Sequence, residues 1–176
     1  GGNRQRLVFY APTRGLIGYQ SELLTDTRGT AVMNRLFHSY EPYKGELPGR
    51  TNGVVISNEQ GESVAYEMWD LGDRGPMVID AGVKVYQGMI IGIHSRDNDL
   101  EVNVLKGKKL TNIRTTSKDE AVRLTPPIKM TLEKALAYIE DDELVEVTPK
   151  SIRLRKKLLD PNDRKRDERA RETESV

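Results

Sequence analysis

The chain has 176 residues, 36% of them hydrophobic, and a formal net charge of +1, which supplies one medium domain or a small domain plus a partial one and excludes a fibrous class. It contains no cysteine, so disulfide scaffolds, thiolate zinc sites and thiol nucleophiles are excluded, and a reducing compartment, the cytoplasm, is the expected location. No apolar run approaches the roughly 20 residues of a membrane span, and the opening GGNRQR has no signal-peptide core.

In chain order, RLVFYAP (Arg6 to Pro12) has the β-branched and aromatic content of a strand. Leu7, Phe9 and Ala11 fall on one face and Val8 and Tyr10 on the other, which predicts burial. Leu16, Ile17, Gln20, Leu23 and Leu24 make a helical stripe that Gly29 stops. Thr30 to Pro42 alternates as a second strand. Two strands are too narrow a platform for the helix, so this βαβ-like unit reads as part of a larger domain. The Gly- and Pro-rich stretch from Lys44 to Gly53 reads as a boundary.

Beyond it the pattern becomes all-β. GVVISN and SVAYEMWDLG are expected to pair as a hairpin around EQGE, with MVID, AGVKVY and GMIIGIHSR as further short strands of a small barrel or sandwich. The run LKGKKLTNIRTTSK, Leu105 to Lys118, has loop composition and no acidic residue. Ala121 to Leu124 is a candidate strand, and Pro126 and Pro127 mark a break. In TLEKALAYIEDDE, Thr131 is placed to cap a helix whose apolar face is Leu132, Ala135, Leu136 and Ile139. ELVEVTP and SIRLRKK resume strands, with Ile152 and Leu154 inward and Arg153 and Arg155 outward. From Asp160 onward the chain lacks an apolar face and reads as a solvated helix or a disordered tail.

No catalytic constellation and no metal signature emerges. His38 and His94 both sit in strand patterns, where a local hydrogen bond explains an imidazole better than a catalytic or ligating role. The acids Glu140, Asp141, Asp142 and Glu143 could in principle take a hard cation, but four acids at a helix end are more simply a solvated turn. DTRG (Asp26 to Gly29) matches a GTPase DxxG string, yet no phosphate-binding GxxxxGK[ST] accompanies it. Two basic features remain. Cations along the Lys106–Lys118 loop have no acid among them, so a phosphate backbone is the favoured counter-charge. From Lys150 to Arg171, ten cations face four acids, where solubility is as good a reading as binding.

APTRGLIGYQSELLTDTRGTAVMNRLFHSYEPY resembles the second half of the ferredoxin-like fifth domain of elongation factor G, through Gly18 and Tyr19, Thr27 to Gly29, and Tyr40 to Pro42. More specifically, RGLIG, NGVVISN, DRG, VYQGMIIGIHSRDNDLEVN, GKKLTNIR, PPIKMTLEKALAYIEDDELVEVTP and SIRLRKK, in that order, resemble the C-terminal region of the BipA/TypA translational GTPases. The resemblance implies an α+β chain in three parts. Residues 1–47 would be the second half of a domain V-like unit, 48–159 a small-barrel C-terminal domain with one packed helix, and 160–176 a basic tail.

It further implies that the GTPase domain, with its GTP and magnesium, lies upstream of Gly1, leaving here a module without cofactor or catalysis. The implied partners are the 70S ribosome, 23S rRNA and A-site tRNA, with roles in ribosome assembly and stress response. Lys106, Lys108, Lys109, Thr111, Asn112, Arg114 and Lys118 would contact rRNA and the tRNA acceptor end, and Arg153, Arg155, Lys156 and Lys157 would form a second RNA contact. The partial N-terminal unit is expected to self-associate. The competing expectation is a protein-interaction domain using the Glu140–Glu143 turn, with the loop merely solvated.

Overall fold

The computed structural model describes residues 4–105 and 124–174. The chain divides into two units, residues 1–49 and 50–176.

In the first unit the expected helix forms as α1, Tyr19–Asp26, preceded by a 3-10 turn at Thr13–Leu16. Gly18, at φ 77°, separates the two, which is why the apolar stripe beginning at Leu16 does not run as one helix. The α1 end is closed by the Gly29 N–H donating to the Leu24 carbonyl at 2.7 Å. The two flanking strands are not formed. Residues 6–12 and 30–42 are in no ladder among the described residues, and their apolar side chains, expected to be buried, are exposed: Phe9 is 79% and Leu36 93% accessible. Alternation belongs to one segment, whereas a strand exists only with a hydrogen-bonded neighbour.

The second unit is built on a five-stranded sheet. Its strands are β1 (Val54–Ser57), β4 (Met89–Ile93), β5 (Leu100–Val102), β6 (Glu143–Val147) and β7 (Ile152–Lys156), in the order β5-β1-β4-β7-β6. The β1–β5 pair is parallel and the other three are antiparallel. A separate two-stranded ribbon joins β2 (Gly61–Glu62) to β3 (Lys84–Val85). The α+β class therefore holds, with a mixed sheet and a ribbon in place of a single ring of strands.

The sheet is buried on both faces, as its unbroken apolar runs require. Val55, Met89, Ile91 and Val102 pack on one side with Val85 and Val104, while Val54, Ile56, Ile90 and Leu154 pack on the other with Ala135. Each fully buried Val or Ile contributes on the order of 1.5–3 kcal/mol. The second face is covered by α3 (Leu132–Tyr138), whose Thr131 hydroxyl accepts from the Lys134 N–H at 3.3 Å, the expected cap. The face itself differs from expectation. Ala135 is fully buried, with Tyr138 and Ile139 against the core, whereas Leu132 and Leu136 are 44% and 50% exposed.

A second correction concerns SVAYEMWDLG. It is not the return strand of a hairpin but α2 (Ala65–Asp70) followed by a 3-10 turn at Leu71–Arg74. Met68 is its buried contact and Val64 N–H donates to Val104 O at 2.8 Å. Gly75 ends the turn at φ 143°, where a Cβ would meet the Ile93 carbonyl oxygen at 1.9 Å. The terminal stretch is α4 (Pro161–Glu174), started by an Asp160 carboxylate that accepts from Asn162 N–H at 2.7 Å.

Candidate nucleic-acid interface

The basic-loop residues Lys106, Lys108, Lys109, Thr111, Asn112, Arg114 and Lys118, and residues 121–123 of the strand expected over Ala121 to Leu124, lie outside the described residues, and Leu124 itself is in no strand. The sequence leading into this run is fixed by the sheet. It follows edge strand β5, and Val104 there is fully buried. Asn103 Oδ1 accepts from the Leu105 N–H at 2.8 Å. On the far side, Ile128 N–H donates to the Met77 carbonyl at 2.8 Å.

The four cations named for a second contact fall into three situations. Lys157 is exposed. Arg153 and Arg155 flank Glu146: Arg153 Nε donates to Oε2 at 3.2 Å, and Arg155 Nε lies 2.9 Å from Oε1 as an ion pair without hydrogen-bond alignment. The Tyr86 hydroxyl donates to the same Glu146 at 2.6 Å. That hydrogen bond, with the two guanidiniums, holds the Glu146 carboxyl below its ordinary value. Burial and the same carboxylate push the Tyr86 phenol well up.

Lys156 is the correction. Its side chain is 3% exposed, with Nζ 2.6 Å from Asp99, 2.8 Å from Asp142 and 2.9 Å from Glu143. It is an interior cation and cannot reach a phosphate. Residue parity along β7 places Lys156 with Ile152 and Leu154, the inward set.

The same cluster overturns the solvated-turn reading of Glu140–Glu143. Glu143 is fully buried and binds both Lys156 and the forked guanidinium of Arg50, one contact being Arg50 Nη1 to Glu143 Oε2 at 2.6 Å. Arg50 also donates from Nη1 to the Tyr138 carbonyl at 3.1 Å and from Nε to Asn52 O at 2.8 Å. Its backbone N–H donates to the Glu140 carboxylate at 2.9 Å, and its guanidinium lies 4.7 Å from the Tyr138 ring centroid. Burial works against the Asp142 carboxylate, but the hydrogen bond and charge of Lys156 outweigh it and hold the pKa low. Burial also disfavours the Lys156 ammonium, and its three carboxylates more than offset this, raising its pKa.

Of the imidazoles, His94 is buried with Nδ1 against the Asn98 carbonyl, and His38 lies against Tyr10 with ring centroids 4.3 Å apart and planes tilted by 45°. Among the described residues, no group of three or more His, Asp or Glu side chains is arranged to hold a metal ion. No helix among them is long and apolar enough to cross a membrane.

The arrangement is that of a five-stranded sheet whose acidic Glu140–Glu143 turn pairs internally with Arg50 and Lys156, and in the sequence the cationic run Lys106–Lys118 follows edge strand β5. Residues 52–161 match the family model described as the TypA/BipA C-terminal domain, and residues 1–51 match the elongation factor G C-terminus. The chain belongs to the TypA/BipA family. It is 54% identical over 170 residues to the large ribosomal subunit assembly factor BipA of Haemophilus influenzae, covering 96% of this chain and 28% of that protein. The proteins of the same name from Escherichia coli K12 and Bacillus subtilis are 56% and 45% identical, over 97% and 98% of this chain and 28% of each relative. The chain thus spans about three tenths of the length of these relatives.

Proposed function

We propose that this chain is a ribosome-binding, RNA-contacting module of a TypA/BipA-type translational GTPase that acts on the large ribosomal subunit. The observation that carries this is the acid-free cationic run Lys106–Lys118 in a member of a family whose relatives are named as large-subunit assembly factors. Lys106, Lys108, Lys109, Arg114 and Lys118 neutralise phosphates. Thr111 and Asn112 are of the right chemistry for 2′-hydroxyls and base edges in folded RNA. In this reading the loop meets 23S rRNA and the acceptor end of A-site tRNA, and exposed Lys157, with Arg153 and Arg155, adds a lesser contact. GTP hydrolysis and its magnesium belong to other parts of the whole protein, and this module binds without catalysing.

The test is co-sedimentation with ribosomes across a salt series, comparing the parent with Lys106, Lys108, Lys109 and Arg114 all changed to Ala. Each phosphate contact contributes about 0.7–0.9 to the slope of log affinity against log salt, so the variant's slope should flatten by about 3. Its unfolding midpoint should stay near the parent's, because surface substitutions away from packing typically change stability by about 0.5 kcal/mol or less each. An unchanged salt slope would leave the loop as a solvated segment.

A further inference from the structure

The acidic turn at Glu140–Glu143 spends its buried carboxylate and Asp142 on Arg50 and Lys156, so it offers little to an external partner. A different acidic surface is available on α2. Tyr66, Trp69, Asp70 and Asp73 fall at i, i+3, i+4 and i+7, one face of the α2 helix and its 3-10 extension, opposite buried Met68. Trp69 is 53% and Tyr66 37% exposed, their ring centroids 6.1 Å apart and inclined by 40°. Asp70 and Asp73 are exposed, and none of the ion pairs among the described residues includes either. Asp70 makes no side-chain capping bond. With Glu67 on the same helix, three carboxylates stand against a single cation, Arg74.

The stripe is also held in place. Ser63 N–H donates to Val83 O at 2.9 Å, the Ser63 hydroxyl to Asp80 O at 3.0 Å, and Ser95 N–H to Arg74 O at 2.8 Å. Both ends of the helical segment are therefore tied to the domain, so ordering costs on binding are small.

We propose that Tyr66, Trp69, Asp70 and Asp73 form a docking surface for a basic polypeptide segment. A Lys or Arg side chain seats over the faces of Trp69 and Tyr66 as a cation–π contact, and a neighbouring cation pairs with Asp70 and Asp73. Charge decides between partners. Exposed aromatics alone would also suit stacked bases, but the adjoining carboxylates repel phosphate and attract Lys and Arg. This surface shares no residue with the basic loop, so it stands or falls separately from RNA binding.

Trp69 is the only tryptophan in the chain, so its fluorescence reports directly on the site. The experiment titrates the full chain with a short labelled peptide of alternating lysine, arginine and glycine, followed by Trp69 emission and peptide anisotropy, beside a single-stranded oligoribonucleotide. The expected result is a saturable change in Trp69 emission with the peptide. Trp69→Ala should weaken peptide binding about tenfold, the equivalent of one well-formed cation–π contact. Asp70→Asn with Asp73→Asn should weaken it and reduce its salt dependence, while Trp69→Phe should retain most affinity. The loop variant with four alanines should bind the peptide as the parent does. Should Trp69→Ala fail to fold by circular dichroism, the Asp pair and Trp69→Phe carry the decision. Equal peptide affinity in parent and folded Trp69→Ala, in parent and the Asp pair, or a stronger Trp69 response to the oligoribonucleotide than to the peptide, would overturn the proposal.

Discussion

Glu143 is the residue on which the second unit's interior charges converge. It is fully buried, and its two oxygens serve Arg50, Lys156 and the Glu140 N–H, the last at 3.0 Å. Removing it strands two interior cations. Glu143→Leu is expected to cost about 3–5 kcal/mol, as for other broken buried pairs. Lys156→Met should cost less, roughly 1–3 kcal/mol, because Glu143 keeps Arg50 and the remaining carboxylates of Asp99 and Asp142 are 37% and 42% exposed and can turn to water. Urea unfolding of both variants checks the order; a larger loss for Lys156→Met would mean that Lys156, not Glu143, is the centre. The pH dependence follows from the same contacts. Asp142, its pKa lowered from 3.8, stabilises the fold above that value and loses the contribution as pH falls through its folded pKa. Lys156, raised from 10.5, contributes fully below that value and loses the contribution as pH rises through its higher folded pKa. The unfolding midpoint of the parent should therefore fall on the acid side below 3.8 and on the alkaline side above 10.5, with the acid limb shallower in Lys156→Met.

At the scale of elements, α3 shows how a correct helix can carry a wrong face. Its apolar residues at 132, 135, 136 and 139 fit two overlapping stripes, and sequence spacing cannot choose between them. The fold chooses Ala135, Tyr138 and Ile139, since a small residue at the crossing lets α3 approach Ile56, Ile90 and Leu154 closely. Leu136→Ala is accordingly expected to cost about 1 kcal/mol or less, because the side chain is already half in water. Ala135→Leu should cost about 1–3 kcal/mol by overpacking. Thermal melts of the two variants test this, and a larger loss for Leu136→Ala would reverse the assignment. What was legible in the sequence was local: the Thr131 cap and the runs of β1, β4, β6 and β7. What was not legible depended on distant partners. The α2 segment has strand composition in Val64, Tyr66 and Trp69, yet Met68 needs a helical turn to reach the interior. Lys156 could have been placed by parity on β7, but nothing nearby in sequence announces Asp99 as its partner.

For the whole molecule, the two units differ in how they dispose of apolar surface. The second unit closes its sheet on both faces. In the first, Leu7, Val8, Phe9, Tyr10, Val32, Leu36, Phe37 and Tyr40 are all at least 70% exposed, and the backbone of 6–12 and 30–42 is in no ladder among the described residues. β-Prone segments that lie in no ladder and expose apolar side chains are templates for pairing. A net charge of only +1 gives copies of the chain little mutual repulsion. The expected outcome is concentration-dependent association of this chain through residues 4–42, by strand pairing or by exchange of the unit between copies. Light scattering across a concentration series should show the mass rising. Phe9→Asp with Phe37→Asp should return the chain to a monomer, since burying two unpaired carboxylates in the contact is costly. The loop variant with four alanines should associate as the parent does, which separates this surface from the one proposed for RNA. A parent chain that stays monomeric at high concentration would show that the exposed side chains of the first unit do not drive self-pairing.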